Sequence, residues 1–280
     1  MKVYCILSDQ RVYQSRSPAM FSAVLRRQGI HAVYVPFAVE PADLGCALEG
    51  LRALHIAGAN VTAPFKEAVI AHLDDLSEGA RVIGAINTLV RDGRRLKGYN
   101  TNAIGIMDAL GAAGCEVEGR TALVFGTGGA ARTAAFILTW LRAREVWVAG
   151  RRLDRAREIT ERFGGRGVPL EMLRNVRLPA EIVVNATSAS SPEESAELCN
   201  LVQGLDLGAC RLLLDLNYGR RRNFWRDKAE AEGIPFLDGL LPLAFQARRS
   251  LHLWTGLLVP PEEFLEALAP PGACPPAVPA

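Results

Sequence analysis

The residues with the clearest chemical potential lie mid-chain. The segment TALVFGTGGAARTAAFIL, Thr121 to Leu138, sets Gly126, Gly128 and Ala131 at GxGxxA spacing, after a β-rich run ending at Phe125 and before a helical stretch. A bound pyrophosphate asks for that order. The first glycine makes the tight turn, the second lets the backbone approach, and the third small residue lets helix and strand close together. The helix N-terminus then presents its amides to the phosphates. Glycine-rich turns are common, so the fingerprint alone is weak; the strand before it and the helix after it point to a dinucleotide.

The next β-run selects among dinucleotides. Where NAD is bound, that strand ends about 20 residues on with an acidic residue for the ribose hydroxyls. Here VWVAG ends in Gly150, Arg151 and Arg152, with Arg155 one helical turn away. A carboxylate would repel a ribose phosphate, whereas guanidinium groups pair with it through charge-assisted hydrogen bonds. The expected cofactor is therefore NADP. The alternative is one more solvated patch, because only four of the 32 basic residues are lysines and arginine is abundant throughout.

A second set of polar residues sits in apolar surroundings in the first hundred residues: SRSP from Ser15, NVTAPFKE from Asn60, GAINT from Gly84 and GYNTN from Gly98. Strand ends and loops of this kind are where ligand groups are normally placed. Ser15 and Ser17 flank Arg16 before a helix start, so their hydroxyls and the helix amides can hold a carboxylate. Read alone, Ser17 is a helix cap beside Pro18. Lys66 opens an expected helix after Pro64 and Phe65. A partly buried lysine beside a cofactor can lose its proton and act as acid or base, while an ordinary lysine at a helix start is a solvated charge.

The elements that must position these groups alternate. β-runs at Lys2–Leu7, Ala32–Phe37, GANVT and AINTLV are interleaved with helical stretches at Pro18–Arg27, PADLGCALEGLRALH and Phe65–Leu73. A second series begins near Asn102 with the helix AIGIMDALGAAG and continues through TALVF, EVWVAG, EIVVNAT and RLLLDL; after Asp238 the chain returns to helix in LPLAFQARRSLHLWTG and EEFLEAL. Alternation of this sort predicts α/β packing with buried parallel strands, in one domain of about 1–102 and another of about 103–238. Pattern alone leaves open which of them the terminal helices join. The last stretch, PPGACPPAVPA, reads as a disordered tail.

Composition narrows the class. At 280 residues, 49% hydrophobic and 22% charged, the chain is globular and long enough for two cores without staples. A net charge of +2 gives no reason to expect nucleic acid or an anionic membrane as partner. Six cysteines without CxxC spacing or nearby histidines exclude zinc and redox motifs and fit free thiols in a reducing cytoplasm. The opening MKVYCILSDQR is too short in apolar residues for a signal peptide, and no apolar run approaches the ~20 residues of a membrane span. The expectation is a soluble cytoplasmic protein that handles small molecules.

Taken in order and spacing, NVTAPFKE, GAINT, GYNTN, FGTGGAAR, NATS and FQARRSLHLWTG resemble the shikimate dehydrogenase family, from about Ser8 to Gly256. NVTAPFK and AINT are specific; the glycine turn is not. The resemblance implies an α/β substrate domain of residues 1–102 plus 240–280 and an NADP-binding Rossmann domain of residues 103–239, with a cleft between them. It implies an NADP-dependent dehydrogenase, monomer or homodimer, reversibly reducing 3-dehydroshikimate to shikimate in aromatic amino-acid biosynthesis. By motif, Ser15, Ser17 and Tyr218 would hold the substrate carboxylate. Thr62, Asn87, Asn102 and Gln246 would bind ring hydroxyls, and Lys66 would be the acid/base. Gly126, Thr127, Gly128, Gly129, Ala130, Arg151, Arg152 and Arg155 would hold cofactor phosphates; Thr187, Leu216 and Gly239 would line the nicotinamide side. No metal is implied.

The chain also departs from the family pattern. The GxNTD motif ends in an aspartate that works with the lysine, and here the position is Asn102, which hydrogen-bonds a hydroxyl but carries no charge and exchanges no proton. The substrate rim differs further: Met20-Phe21 stands for the frequent His-Asn, Gly150 for asparagine and Leu241-Pro242 for glycine-methionine. Two alternatives follow, a paralogue acting on quinate or a related cyclic hydroxy acid, and a catalytically impaired NADP- or shikimate-binding protein.

Overall fold

The structure is a computed structural model that describes residues 1–174 and 176–269; the proline-rich tail, with Cys274, lies outside the described residues. The described residues divide into two compact units, Met1–Gly105 together with residues 243–269, and Ile106–Pro242.

The first unit opens with β1 (Lys2–Ser8), α1 (Ser17–Arg27), β2 (Ala32–Ala38), α2 (Leu44–Ala53) and β3 (Gly58–Val61). It continues through β4 (Asp75–Leu76), α3 (Glu78–Ile83), β5 (Thr88–Asp92) and β6 (Arg95–Tyr99) into α4 (Thr101–Ala112). The strand order is β2-β1-β3-β5-β6-β4. β1 is parallel to both β2 and β3, as the alternating pattern predicts. β5, however, runs antiparallel to β3 and to β6, so this sheet is mixed. For the β5–β6 pair the reason is local: Gly93, at φ +59°, makes the tight turn between Asp92 and Arg95 that no parallel crossover could use.

The second unit holds β7 (Thr121–Phe125), α5 (Gly129–Trp140), β8 (Glu145–Gly150), α6 (Leu153–Phe163) and β9 (Arg166–Pro169), then β10 (Ile182–Asn185), α7 (Ala196–Gln203), β11 (Leu212–Asp215), α8 (Phe224–Ala231) and β12 (Phe236–Leu237). Its strand order is β12-β11-β10-β7-β8-β9, every pairing parallel. The first strand, β7, is central, with β8 and β9 to one side and β10, β11 and β12 to the other; this is the doubly wound arrangement of dinucleotide-binding domains. Such strands are covered by helices on both faces, and β7, β10 and β11 are accordingly buried along their whole length.

The chain returns through α9 (Leu240–Thr255) and α10 (Pro261–Leu268). In the first unit, Phe21 of α1 stacks on Tyr34 of β2 with centroids 4.5 Å apart, and Tyr4 of β1 stacks on Trp254 of α9 at 4.8 Å. Trp254 also donates its indole N–H to the Leu89 carbonyl at 2.9 Å. Gly58 is the residue that admits the indole, since a Cβ there would stand 2.3 Å from its nitrogen. Gly58→Ala is expected to destabilise the protein by about 1–3 kcal/mol through overpacking, read as a lower urea midpoint with an unchanged slope.

Candidate functional site

Several polar segments of the first unit leave one edge of its sheet. β1 ends at Ser8 and β3 at Val61; because β5 is antiparallel to β3, its first residue Thr88 pairs with Asn60 there. β6 runs back to Tyr99, opposite Thr88, and passes into α4. Residues 62–66, 85–87 and 100–102 therefore emerge side by side. The Thr62 amide donates to the Leu7 carbonyl (3.1 Å) and the Ser8 hydroxyl to the Ala63 carbonyl (2.6 Å), pinning the loop after β3 to the end of β1.

Lys66 sits in that loop. Its carbonyl accepts the Ile86 amide at 2.8 Å, so it is withdrawn from any helical ladder; Ile70, which would otherwise bond it, donates to Glu67 at 3.2 Å. The helix expected over 65–73 is consequently a turn followed by a short 3-10 segment, Ala68–His72, and Lys66 stands on the turn. Its side chain is half-buried and has no ion-pair partner among the described residues. Burial pushes its ammonium down to about 8.

Next along is Asn87, buried at 4% exposure. Its Oδ1 accepts the amides of Thr101 (2.7 Å) and Asn102 (3.2 Å), and its Nδ2 donates to Thr101 Oγ1 (2.7 Å) and Gln246 Oε1 (3.0 Å). Gln246 Nε2 donates to the Leu243 carbonyl at 3.1 Å. Three of the expected site residues, Asn87, Asn102 and Gln246, are thus joined directly, and the amides of Asn87 and Gln246 are already committed to protein partners. Behind them lies a cluster the sequence reading missed. Thr88 and Thr101 hydroxyls are 3.0 Å apart, Ser250 Oγ is 2.8 Å from Thr88 and 3.1 Å from Thr101, and Asn60 donates to the Asn87 carbonyl (3.0 Å) and to Thr88 Oγ1 (3.1 Å). Tyr34 donates to Asn60 Oδ1 at 2.7 Å. One signal was available: Ser250 lies four residues after Gln246, on the same face of α9.

Ser15 and Ser17 leave the end of β1 through a 3-10 turn, Gln10–Gln14. Arg16 occupies the N-cap of α1 without a side-chain cap, while the Ser15 hydroxyl accepts the Ser17 amide at 3.2 Å. Ser17 opens the helix, buried, and is not its cap.

In the second unit the glycine turn follows β7. Gly126 has φ +117°, and a Cβ on it would come within 2.7 Å of the Ala186 carbonyl, just beyond the end of β10. This is the point where the chain turns from one side of the sheet to the other, the place where such sheets take ligands. Around Gly128 a Cβ would meet nothing, and no side chain caps the N-terminus of α5. Uncapped amides facing open space fit a pyrophosphate. Thr127 packs its methyl on Gly150, where a Cβ would stand 2.6 Å away. Arg151 and Arg152 follow, exposed. Arg155 is instead paired with Glu158 at 2.7 Å, and Glu158 also takes the buried Arg132 of α5 at 2.7 Å. Hydrogen bonds from these two guanidiniums hold the Glu158 carboxyl down to about 2. Thr187, Leu216 and Gly239 are close in this unit: the Leu216 amide donates to the Asn185 carbonyl (2.9 Å), the Thr187 amide to Asn185 Oδ1 (3.0 Å), and a Cβ on Gly239 would lie 2.4 Å from the Leu216 carbonyl. Tyr218, half-buried, follows on the loop after β11, where Arg220 donates to its carbonyl at 2.8 Å.

Comparison with known proteins decides the lineage. The family model for the shikimate dehydrogenase substrate-binding domain matches residues 7–89, and that for shikimate/quinate 5-dehydrogenase matches residues 109–220. A Pyrococcus abyssi protein named shikimate dehydrogenase (NADP(+)) is 37% identical over 257 residues, covering 92% of this chain and 93% of its own length. This chain belongs to the shikimate dehydrogenase family. Among solved structures, the family member from Aquifex aeolicus superposes with a TM-score of 0.85 at 30% identity, covering 96% of this chain and 97% of its own. The Thermus thermophilus shikimate 5-dehydrogenase in complex with NADP(H) and shikimate gives 0.81 at 37% identity, with 95% and 98% coverage.

The polar cluster behind Asn87 sets an expectation for stability. Thr101→Val keeps the shape but leaves Asn87 Nδ2 and Gln246 Oε1 short of a buried partner, at a cost of about 1–3 kcal/mol. Denaturant unfolding measures it; an unchanged midpoint would contradict the bonding described.

Proposed function

We propose that the chain is an NADP-dependent dehydrogenase that reversibly reduces 3-dehydroshikimate to shikimate. One observation carries the reading: a half-buried lysine without a counter-charge is held, through the Ile86 bond, next to the residue that fixes Asn102 and Gln246. The family membership and the likeness to a structure holding NADP(H) and shikimate support it.

In this reading residues 1–102 with 240–280 take the substrate and residues 103–239 the cofactor. Ser15, Ser17 and Tyr218 hold the substrate carboxylate; Thr62, Asn87, Asn102 and Gln246 meet ring hydroxyls. Residues 126–130 cradle the pyrophosphate with uncapped amides, Arg151, Arg152 and Arg155 face the ribose phosphate, and Thr187, Leu216 and Gly239 flank the nicotinamide. NADPH, when bound, supplies the hydride. Lys66 does the rest of the chemistry: its ammonium stabilises the negative charge that develops on the ketone oxygen and gives it a proton, and in oxidation the neutral amine accepts the hydroxyl proton. Desolvation brings the lysine close enough to neutrality to serve both directions. A cytoplasmic site of action goes with this chemistry. Among the described residues no helix is long and apolar enough to cross a membrane, and the cysteines are free.

Purified protein is expected to consume NADPH on addition of 3-dehydroshikimate, and to reduce NADP+ with shikimate in preference to quinate. Absence of turnover, or turnover with NADH in place of NADPH, rejects the reading. The pH dependence follows from Lys66: shikimate oxidation should rise with pH through an inflection near about 8, where the ammonium loses its proton, and ketone reduction should fall through the same point. Asn102→Asp would add a carboxylate to the same site, raise the lysine pKa and move that inflection upward. It should also increase kcat, by about 10²-fold at the low end of what a positioned acid/base partner contributes. A variant with no gain in kcat shows that position 102 does not limit this enzyme.

A further inference from the structure

Asp215, the last residue of β11, is completely buried, and no cation pairs with it among the described residues. Its Oδ1 accepts from Asn185 Nδ2 (2.8 Å) and from the Asn217 amide (3.0 Å), and its Oδ2 accepts from Asn223 Nδ2 (2.8 Å). Burial raises its carboxyl above the usual range, and hydrogen bonds from Ser190, Asn217, Asn223 and Asn185 oppose that rise. A buried carboxylate held only by amides and a hydroxyl is an expensive way to fill a strand end, since an apolar residue would fit without desolvation.

What these bonds secure lies one step outward. Asn185 Oδ1 accepts the Thr187 amide (3.0 Å) and the Thr187 hydroxyl (2.7 Å), and its carbonyl accepts the Leu216 amide (2.9 Å). Asn217 Nδ2 donates to the Thr187 carbonyl (3.0 Å) and to Ser190 Oγ (2.9 Å), and the Asn217 carbonyl accepts the Gly239 amide (3.0 Å). Thr187, Leu216 and Gly239 are each one hydrogen bond from an asparagine that Asp215 holds. An aspartate is suited to this, because both its oxygens accept and it fixes which way each asparagine amide faces.

We propose that Asp215 is a positioning residue for the nicotinamide end of the cofactor, acting through Asn185 and Asn217 on the loops that carry Thr187, Leu216 and Gly239. The proposal rests on the cofactor assignment above. It does not extend to the phosphate end, where the glycine turn and the arginines stand on other strands.

The test separates the two ends of the ligand. Wild type, Asp215→Asn, Asn217→Ala and Asn223→Ala are titrated calorimetrically with NADP+ and with 2′-phospho-ADP-ribose, which lacks the nicotinamide. Asp215→Asn should weaken NADP+ about tenfold, the loss of roughly one buried charge-assisted hydrogen bond, while the fragment binds within about twofold of wild type. Asn217→Ala should shift the same ratio in the same direction, and it carries the test alone if Asp215→Asn does not fold. Asn223→Ala removes a bond to Asp215 and the cap of α8 but touches neither loop, so it should lower Tm and leave the ratio unchanged. In turnover, kcat should fall in the first two variants while KM for shikimate holds. Equal weakening of both ligands, no weakening of either, or an Asn223→Ala effect on the ratio as large as that of Asp215→Asn overturns the proposal. A wild type that prefers NAD+ to NADP+ would instead overturn the cofactor assignment.

Discussion

The first unit turns on a single side-chain amide. Asn87 precedes β5, yet its oxygen takes the first free amides of α4 and its nitrogen reaches α9. Helix N-termini leave amides without intrahelical partners, and a buried amide side chain must satisfy both its ends. One residue meets both demands at once, which ties strand, helix start and returning helix together. The hydroxyls of Thr88, Thr101 and Ser250 stand behind it in a water-poor interior where hydrogen bonds strengthen one another. The orientation of Asn102 is therefore a consequence of core bonding. A residue at this position can change from acid to amide while its backbone stays in place, because the bond that fixes it is to its amide nitrogen.

The two units handle buried charge in opposite ways. Lys66 is left without a partner, so desolvation acts on it unopposed and brings its pKa toward the range where protons are exchanged. Asp215 is buried more deeply, and burial raises its carboxyl pKa, but the donors around it oppose that rise. An unopposed group is poised to titrate; a saturated one is fixed in place. The contrast gives a physical ground for assigning chemistry to the lysine and architecture to the aspartate, although both are ionisable and both lie at strand ends.

How far the sequence discloses this differs between the units. In the second unit the four strands β7, β8, β10 and β11 were legible, because parallel strands covered on both faces are plain apolar runs such as TALVF and EIVVN; the short edge strands β9 and β12 were not read. α7 and α8 were not seen; their short amphipathic stretches follow loops rich in serine and arginine. In the first unit the hairpin of β5 and β6 was hidden, since RDGRRLKGY carries polar residues at positions whose burial depends on neighbouring strands. The helix over 65–73 failed for a related reason, the capture of the Lys66 carbonyl by Ile86, which is distant in sequence. Site residues were legible by type within their motifs. Their supports were not: Thr88, Thr101, Ser250 and Asp215 are single polar residues at the ends of apolar runs or within a helix, and only tertiary pairing gives them partners.

The arginines after β8 show why residue type alone does not assign a role. Arg151 and Arg152 are exposed, so an incoming phosphate meets charges that need little further desolvation. Arg155 is already engaged with Glu158, and the same carboxylate holds Arg132, which is buried on α5. With the acid held near 2, Glu158 keeps its negative charge, and both pairings persist across ordinary pH. The bridge also links α5, whose N-terminus follows the glycine turn, to α6, which starts beside the exposed arginines. In the proposed reading, the phosphate end of the second unit combines exposed surface cations with a fixed ion-paired triad. Of the two, the surface pair is better placed to set the strength of phosphate binding, and the triad to keep the two helix starts in register.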